Sequence, residues 1–186
     1  MIKKSTAEIF LRLLLLVSFL LTSSSCGGGF RKPDMETLNR LGFRSIPESR
    51  EFPEIRFRDL NGKEKTLKDF EGNVILLNFW ATWCPPCRAE MPGMENLARE
   101  LKGRDFIMIP ISVKETSDTV KSYMEESGID FPVYLDEEAR AAMSVGVTGL
   151  PTSILIDRDG NALGAAVGSV KWDSAPMISM MKDWTR

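Results

Sequence analysis

Histidine is absent from the 186 residues. That excludes histidine-ligated zinc and haem sites and the serine–histidine and cysteine–histidine nucleophilic pairs. Proton transfer is left to carboxylates, thiols, lysines, tyrosines or water. Cysteine is scarce: there are three, two close together at 84 and 87 and one far upstream at 26. An excess of positive charge is also missing. The formal net charge is −2, without the basic surplus expected of a nucleic-acid binder. No apolar run approaches the roughly 20 residues of a spanning helix, and the run at 13–21 is broken by Ser18. Hydrophobic residues make up 43% of the chain, enough to build an ordinary core.

The N-terminus reads as an address. Residues 1–12 are polar and mildly basic, with Lys3, Lys4 and Arg12; residues 13–21 are apolar; Thr22, Ser23, Ser24 and Ser25 are small. That order predicts a secretory signal peptide over 1–25. Cys26 follows the small residues directly and precedes Gly27, Gly28 and Gly29. This resembles the bacterial lipoprotein signal, in which the cysteine is lipidated and becomes the new N-terminus, and it accounts for the odd cysteine. Ser23 stands where that pattern usually has an aliphatic residue, so ordinary cleavage near Ser23 or Ser25 is the alternative. Residues 26–50 read as the lipid-attachment site and a linker with one short helix. Residues 51–186 read as a single folded domain.

Within that domain, strand-like and helix-like stretches alternate. Ile55 and Phe57 alternate with Arg56 and Arg58, and Asn61–Gly62 signals a turn into a second strand at 63–67. Residues 74–80 form a nearly continuous apolar run, as in a strand buried on both faces. Met91, Met94, Leu97, Ala98 and Leu101 fall at helical spacing after Pro85–Pro86. Strands are predicted at 106–113, 131–135, 154–156 and 162–167, and helices at 116–127, 137–144 and 173–184, with Gly128 ending the first of these. Together they predict an α/β domain with a mixed sheet. Met177, Met180 and Met181 suit one packed face of the last helix.

The cysteine pair sits where a buried strand ends and a helix opens. A thiol there faces unpaired backbone N–H groups and the positive end of the helix dipole. Both favour thiolate and speed attack on a disulfide. Two intervening residues on a helical turn let the second sulfur reach the first. Cys84 is expected to be the exposed nucleophile and Cys87, one turn in, the resolving thiol. Pro85 and Pro86 suit a first helical turn and remove two N–H donors from the neighbourhood of Cys84. A structural disulfide and half of a zinc site are the competing readings. The first closes a tiny loop and stabilises little; the second lacks ligands.

The segment Asn78–Phe79–Trp80–Ala81–Thr82–Trp83–Cys84–Pro85–Pro86–Cys87 resembles the active-site segment of the thioredoxin superfamily, in particular its TlpA/ResA-like branch of envelope thiol reductases. The similarity continues through Gly149–Leu150–Pro151–Thr152 and the Leu155–Ile156–Asp157 strand with its Asp159–Gly160 turn. The resemblance implies a thioredoxin-like fold with an N-terminal β-hairpin extension and a central strand/helix insertion between Asp105 and Arg140. It implies a cis Leu150–Pro151 bond, with Leu150 offering backbone groups to an extended substrate. It places Glu90, three residues beyond Cys87 and so on the same helix face, where this branch has an acidic residue near the cysteines. There Glu90 accepts or relays a proton from Cys87, or else is a solvent-facing carboxylate suited to the dipole. Asn78 replaces the buried aspartate of plain thioredoxin, and its amide is expected to be satisfied by the backbone. Trp83 is a candidate for shielding the disulfide or docking substrate, and Trp80 for the core.

The resemblance further implies a protein disulfide reductase of the cell envelope without a cofactor or metal. Its substrates would be disulfide-containing envelope proteins, apocytochrome c among them, and its electrons would come from a membrane donor of the CcdA/DsbD type. Three other readings stand beside it. A peroxiredoxin needs an upstream peroxidatic cysteine with nearby threonine and proline, an arrangement this chain does not show. A copper chaperone of the Sco type wants wider cysteine spacing and a histidine. A binding module would use the fold without turnover.

Overall fold

The computed structural model describes residues 32–46 and 52–186; the predicted signal peptide and Cys26 lie outside them. In chain order the elements are α1 (Met35–Arg40), β1 (Arg44–Ser45), β2 (Arg56–Asp59), β3 (Glu64–Thr66), a 3-10 turn (Leu67–Phe70), β4 (Val74–Trp80), α2 (Pro85–Glu100), β5 (Phe106–Val113), α3 (Ser117–Ser127), β6 (Tyr134–Asp136), α4 (Arg140–Ser144), β7 (Thr152–Ile156), β8 (Ala162–Val167) and α5 (Ala175–Trp184). The eight strands form one mixed sheet in the order β1-β8-β7-β4-β5-β6-β2-β3.

The period of β4 divides the core. All seven of its residues are buried, and successive side chains point to opposite faces. Val74 and Leu76 face a cluster built from α2, α5 and α1, with Met94, Leu97, Met177, Met181, Trp184 and Leu38. Ile75, Leu77 and Phe79 face the other, with Ile109, Ile111, Ile154, Ala141 and Ala142. Parallel pairing of β4 with β5 and antiparallel pairing with β7 place β4 at the centre of the sheet. The β2–β3 hairpin joins through β6, which pairs with β5 on one side and β2 on the other. The inserted α3–β6 unit therefore welds the N-terminal hairpin to the central strands.

Some boundaries differ from expectation. The strand expected at 131–135 is Tyr134–Asp136, and the helix expected at 137–144 begins at Arg140, after Ala139 at φ +58°. Gly128 does end α3, in the left-handed conformation at φ +69° that glycine adopts most readily.

Residues 34–45, read as linker with one short helix, are part of the folded body. Asp34 caps α1 by accepting the Thr37 N–H at 2.7 Å. Leu38 and Phe43 are buried, and Phe43 meets Trp172 edge-on at 5.9 Å. β1 then lies so close to β8 that a Cβ on Gly164 would stand 3.1 Å from the Arg44 carbonyl oxygen.

Candidate active site

β4 ends at Trp80, fully buried as expected, and a short turn carries the chain to Cys84, the N-cap of α2. Cys84 and Cys87 are joined: the S–S distance is 2.09 Å and the Cα atoms are 5.3 Å apart. The Cys87 N–H donates to Cys84 Sγ at 3.3 Å. Pro85 and Pro86 have no N–H, so Cys87 supplies the first amide of the helix that reaches the sulfur. The pair can accept two electrons by thiol–disulfide exchange through a mixed disulfide.

The expectation of an exposed Cys84 does not hold for the disulfide form. Cys84 is only 3% exposed. Its sulfur is bonded to Cys87, and both cysteines belong to a buried cluster with Trp80, Ala81, Met91, Val120 and Leu135, against which Leu150 packs. The large exposed surface beside the pair is Trp83, 65% exposed, while Pro85 and Pro86 are also at the surface.

The Leu150–Pro151 bond is cis, and Pro151 is buried. The Gly168 N–H donates to the Pro151 carbonyl oxygen at 2.8 Å. One residue on, Ser169 Oγ donates to the Pro86 carbonyl oxygen at 3.0 Å. The 168–172 loop thus spans from the cis-proline segment to the first turn of α2.

Glu90 faces inward. It is 5% exposed, which excludes the solvent-facing reading. Its Oε2 accepts the Val170 N–H at 3.0 Å and the Trp172 indole N–H at 3.1 Å. Its Oε1 accepts from Asn78 Nδ2 at 3.1 Å. Burial pushes the Glu90 carboxyl above the ordinary glutamate value, against the pull of the Val170, Asn78 and Trp172 donors. Asn78 Nδ2 also donates to Ser153 Oγ at 2.9 Å. The Asn78 side chain is therefore held by side chains rather than by backbone, because Glu90 and Ser153 converge on it from α2 and β7. Its Oδ1 is buried with no partner.

A further acidic residue belongs to this region. Glu115, just past β5, is buried and accepts from Thr82, two residues before Cys84. In sequence it is one charge in the polar stretch Lys114–Glu115–Thr116, with nothing local to mark it as buried. Among the described residues, no three or more of Cys, Asp and Glu converge in a way that could hold a metal ion.

Comparison with known proteins agrees with this geometry. The Redoxin family model matches residues 47–180. The thiol-disulfide oxidoreductase ResA of Bacillus thuringiensis (strain Al Hakam) is 40% identical over 119 residues, covering 64% of this chain and 69% of that protein. ResA of Bacillus subtilis (strain 168) is 34% identical over 129 residues, covering 69% and 72%. Among solved structures, a thiol:disulfide interchange protein of the thioredoxin family from Chlorobium tepidum TLS superposes with a TM-score of 0.59 at 34% identity, covering 75% of this chain and 97% of that one. A secreted thiol-disulfide isomerase from Corynebacterium glutamicum shares the fold, with a TM-score of 0.63 at 24% identity over 80% of this chain and 96% of that one. With the Cys84–Cys87 disulfide at the start of α2, the chain belongs to the Redoxin family of the thioredoxin superfamily and is a ResA-like thiol–disulfide oxidoreductase.

Proposed function

We propose that this oxidoreductase works as a reductant of protein disulfides in the cell envelope, exported by its N-terminal segment and held to a membrane by lipid on Cys26. The observation that carries the direction is the poor supply of donors at Cys84: one amide, that of Cys87, reaches its sulfur, because Pro85 and Pro86 have none to give. A thiolate with few donors is poorly stabilised, so the reduced form is the less stable one and the potential is low.

In the reduced protein, the Cys84 thiolate attacks one sulfur of a substrate disulfide, and the other substrate sulfur leaves as thiolate. Cys87 then gives up its proton and attacks Cys84 Sγ; the second substrate sulfur leaves, and the internal disulfide closes. Glu90 receives the Cys87 proton. It lies one helical turn beyond Cys87, and its burial raises its proton affinity. Leu150 and Pro151 supply the backbone edge along which an extended substrate lies, and Trp83 supplies apolar contact beside the sulfurs. Substrates of this class include envelope proteins with oxidised cysteine pairs, the haem-attachment cysteines of apocytochrome c among them. Two electrons per cycle return from a membrane dithiol donor of the CcdA/DsbD type. Titration of the isolated domain in glutathione and dithiothreitol buffers tests the direction. A potential at or below the thioredoxin range, roughly −270 mV, is expected. A value near that of strong oxidants, roughly −120 mV, overturns it.

A further inference from the structure

Glu115 is a second buried carboxylate near the cysteines, and the reaction as described does not use it. It is 7% exposed. Its Oε2 accepts the Thr82 N–H at 2.8 Å and the Ser112 hydroxyl at 2.6 Å, and its Oε1 accepts the Thr82 hydroxyl at 2.5 Å. All three donors are neutral. Among the described residues, no salt bridge includes Glu115. Thr82 is joined to Cys84 by two peptide steps of about 3.8 Å each, so the carboxylate lies within roughly 12 Å of the Cys84 backbone.

We propose that Glu115 is a positioning residue that sets the thiolate character of Cys84. It pins the β4–α2 loop through Thr82, and its uncompensated negative charge disfavours a second negative charge on the Cys84 sulfur. The clamp and the charge act together. A loop fixed by both its amide and its hydroxyl cannot swing to bring other donors to the sulfur. At an effective dielectric of about 20, two like charges roughly 12 Å apart shift a pKa by about one. Thiolate suppression would then come from two sources: donors removed by the two prolines, and a charge supplied by Glu115. The inference rests on the reading of Cys84 as the attacking thiol, not on the direction of electron flow.

The other titratable or charged groups on elements around the disulfide are Arg88, Glu90, Glu95, Arg99 and Glu100 on α2, Lys114 beside Glu115, Asp118, Lys121, Tyr123, Glu125 and Glu126 on α3, Asp136 at the end of β6, and Lys171 and Asp173 before α5. All are unchanged when Glu115 alone is altered, so a comparison with wild type isolates it.

Glu115→Gln separates charge from clamp. The Gln carbonyl takes the Thr82 and Ser112 donors, and its NH2 faces the Thr82 hydroxyl, which turns to accept. The measurement is iodoacetamide alkylation of the reduced protein against pH, with the alkylated cysteine located by mass spectrometry. The Cys84 pKa is expected to fall by about one in Glu115→Gln, a tenfold rise in thiolate below that pKa. Alkylation there should quicken only about threefold, because nucleophilicity falls with pKa. Above the Cys84 pKa the reduction potential should rise by about 30 mV, the equivalent of that tenfold change. Glu115→Asp, which keeps the charge and loosens the clamp, should hold the Cys84 pKa near wild type. An unchanged Cys84 pKa in Glu115→Gln, or an equal fall in Gln and Asp, overturns the electrostatic role. Alkylation at Cys87 in place of Cys84 in the wild type overturns the assignment of the attacking thiol instead.

Discussion

Replacing Glu90 with glutamine should make the protein more stable at alkaline pH and leave it unchanged in acid. Glu90 is buried, and its carboxyl is held above the ordinary glutamate value. Between the ordinary value and the raised one, the folded state binds more protons than the unfolded state. Stability therefore falls as pH rises through that window and stays lower above it. Each tenfold gain in proton affinity on folding corresponds to ~1.4 kcal/mol lost above the window. Glutamine carries no charge to bury. Its carbonyl can take the Val170 and Trp172 donors, and its NH2 then faces Asn78. A half-turn of the Asn78 amide turns Oδ1 toward that NH2 and toward the Ser153 hydroxyl, which then donates, and leaves Nδ2 in the place where Oδ1 had no partner. One unpaired buried group replaces another, so the gain at high pH is the carboxylate charge that no longer has to be buried. For a domain of this size each kcal/mol is worth about 2–4 °C in Tm, so the variant should melt several degrees higher at pH 8. Below the ordinary glutamate value the wild-type acid donates its own proton to Asn78, and the difference should vanish. Asp69, Glu100 and Asp105 are held below their ordinary values and lend stability that is lost in acid. They are present in both proteins, so the difference between the two melting curves isolates Glu90. Parallel Tm–pH curves from pH 4 to 8 would refute the reasoning.

Other outcomes follow from the same site. Glu90→Gln should also slow the closing step, seen by stopped-flow as a mixed disulfide that persists longer than in wild type; equal lifetimes would remove Glu90 from proton transfer. Cys87→Ser should accumulate mixed disulfides through Cys84, and Cys84→Ser should lose turnover, both visible on non-reducing gels; the reverse pattern would exchange the two roles. Intact-mass measurement of membrane-extracted protein should find an acylated N-terminus at Cys26, and a mature chain beginning elsewhere without acyl mass would defeat the anchor while leaving export standing.

What could be read from the sequence was what local periodicity and chain adjacency encode. The run Val74–Trp80 must be a strand covered on both faces, since every position is apolar or amide, and the structure buries all of it. Cys84 and Cys87 declare their pairing by sitting three apart at a strand-to-helix junction. Pro151 was a different case: only its resemblance to a known segment marked it, because a cis bond leaves no trace in composition. Long-range partners were out of reach. Helical spacing placed Glu90 on the face of Cys87, but nothing near it revealed that Trp172 would cap it. Leu38 and Phe43 bury themselves in a stretch too short for periodicity to register, and Glu115 is indistinguishable from a surface charge until Thr82 is folded over it.

The bonds from Val170 and Trp172 to Glu90 have a consequence for how the protein is made. Trp172 is encoded 82 residues after the acid it holds. At about 5–20 residues per second of synthesis, the cysteine pair exists for about 4–16 s before the 168–172 loop has been added. During that interval Glu90 lacks two of its donors, and the Pro86 carbonyl lacks the Ser169 hydroxyl. Of the three donors that hold Glu90 in the finished fold, Asn78 is then the one already synthesised. The donor set around Glu90 is completed only with the last part of the chain, so a product truncated before residue 170 would carry the cysteine motif without two of the groups that hold its neighbouring acid.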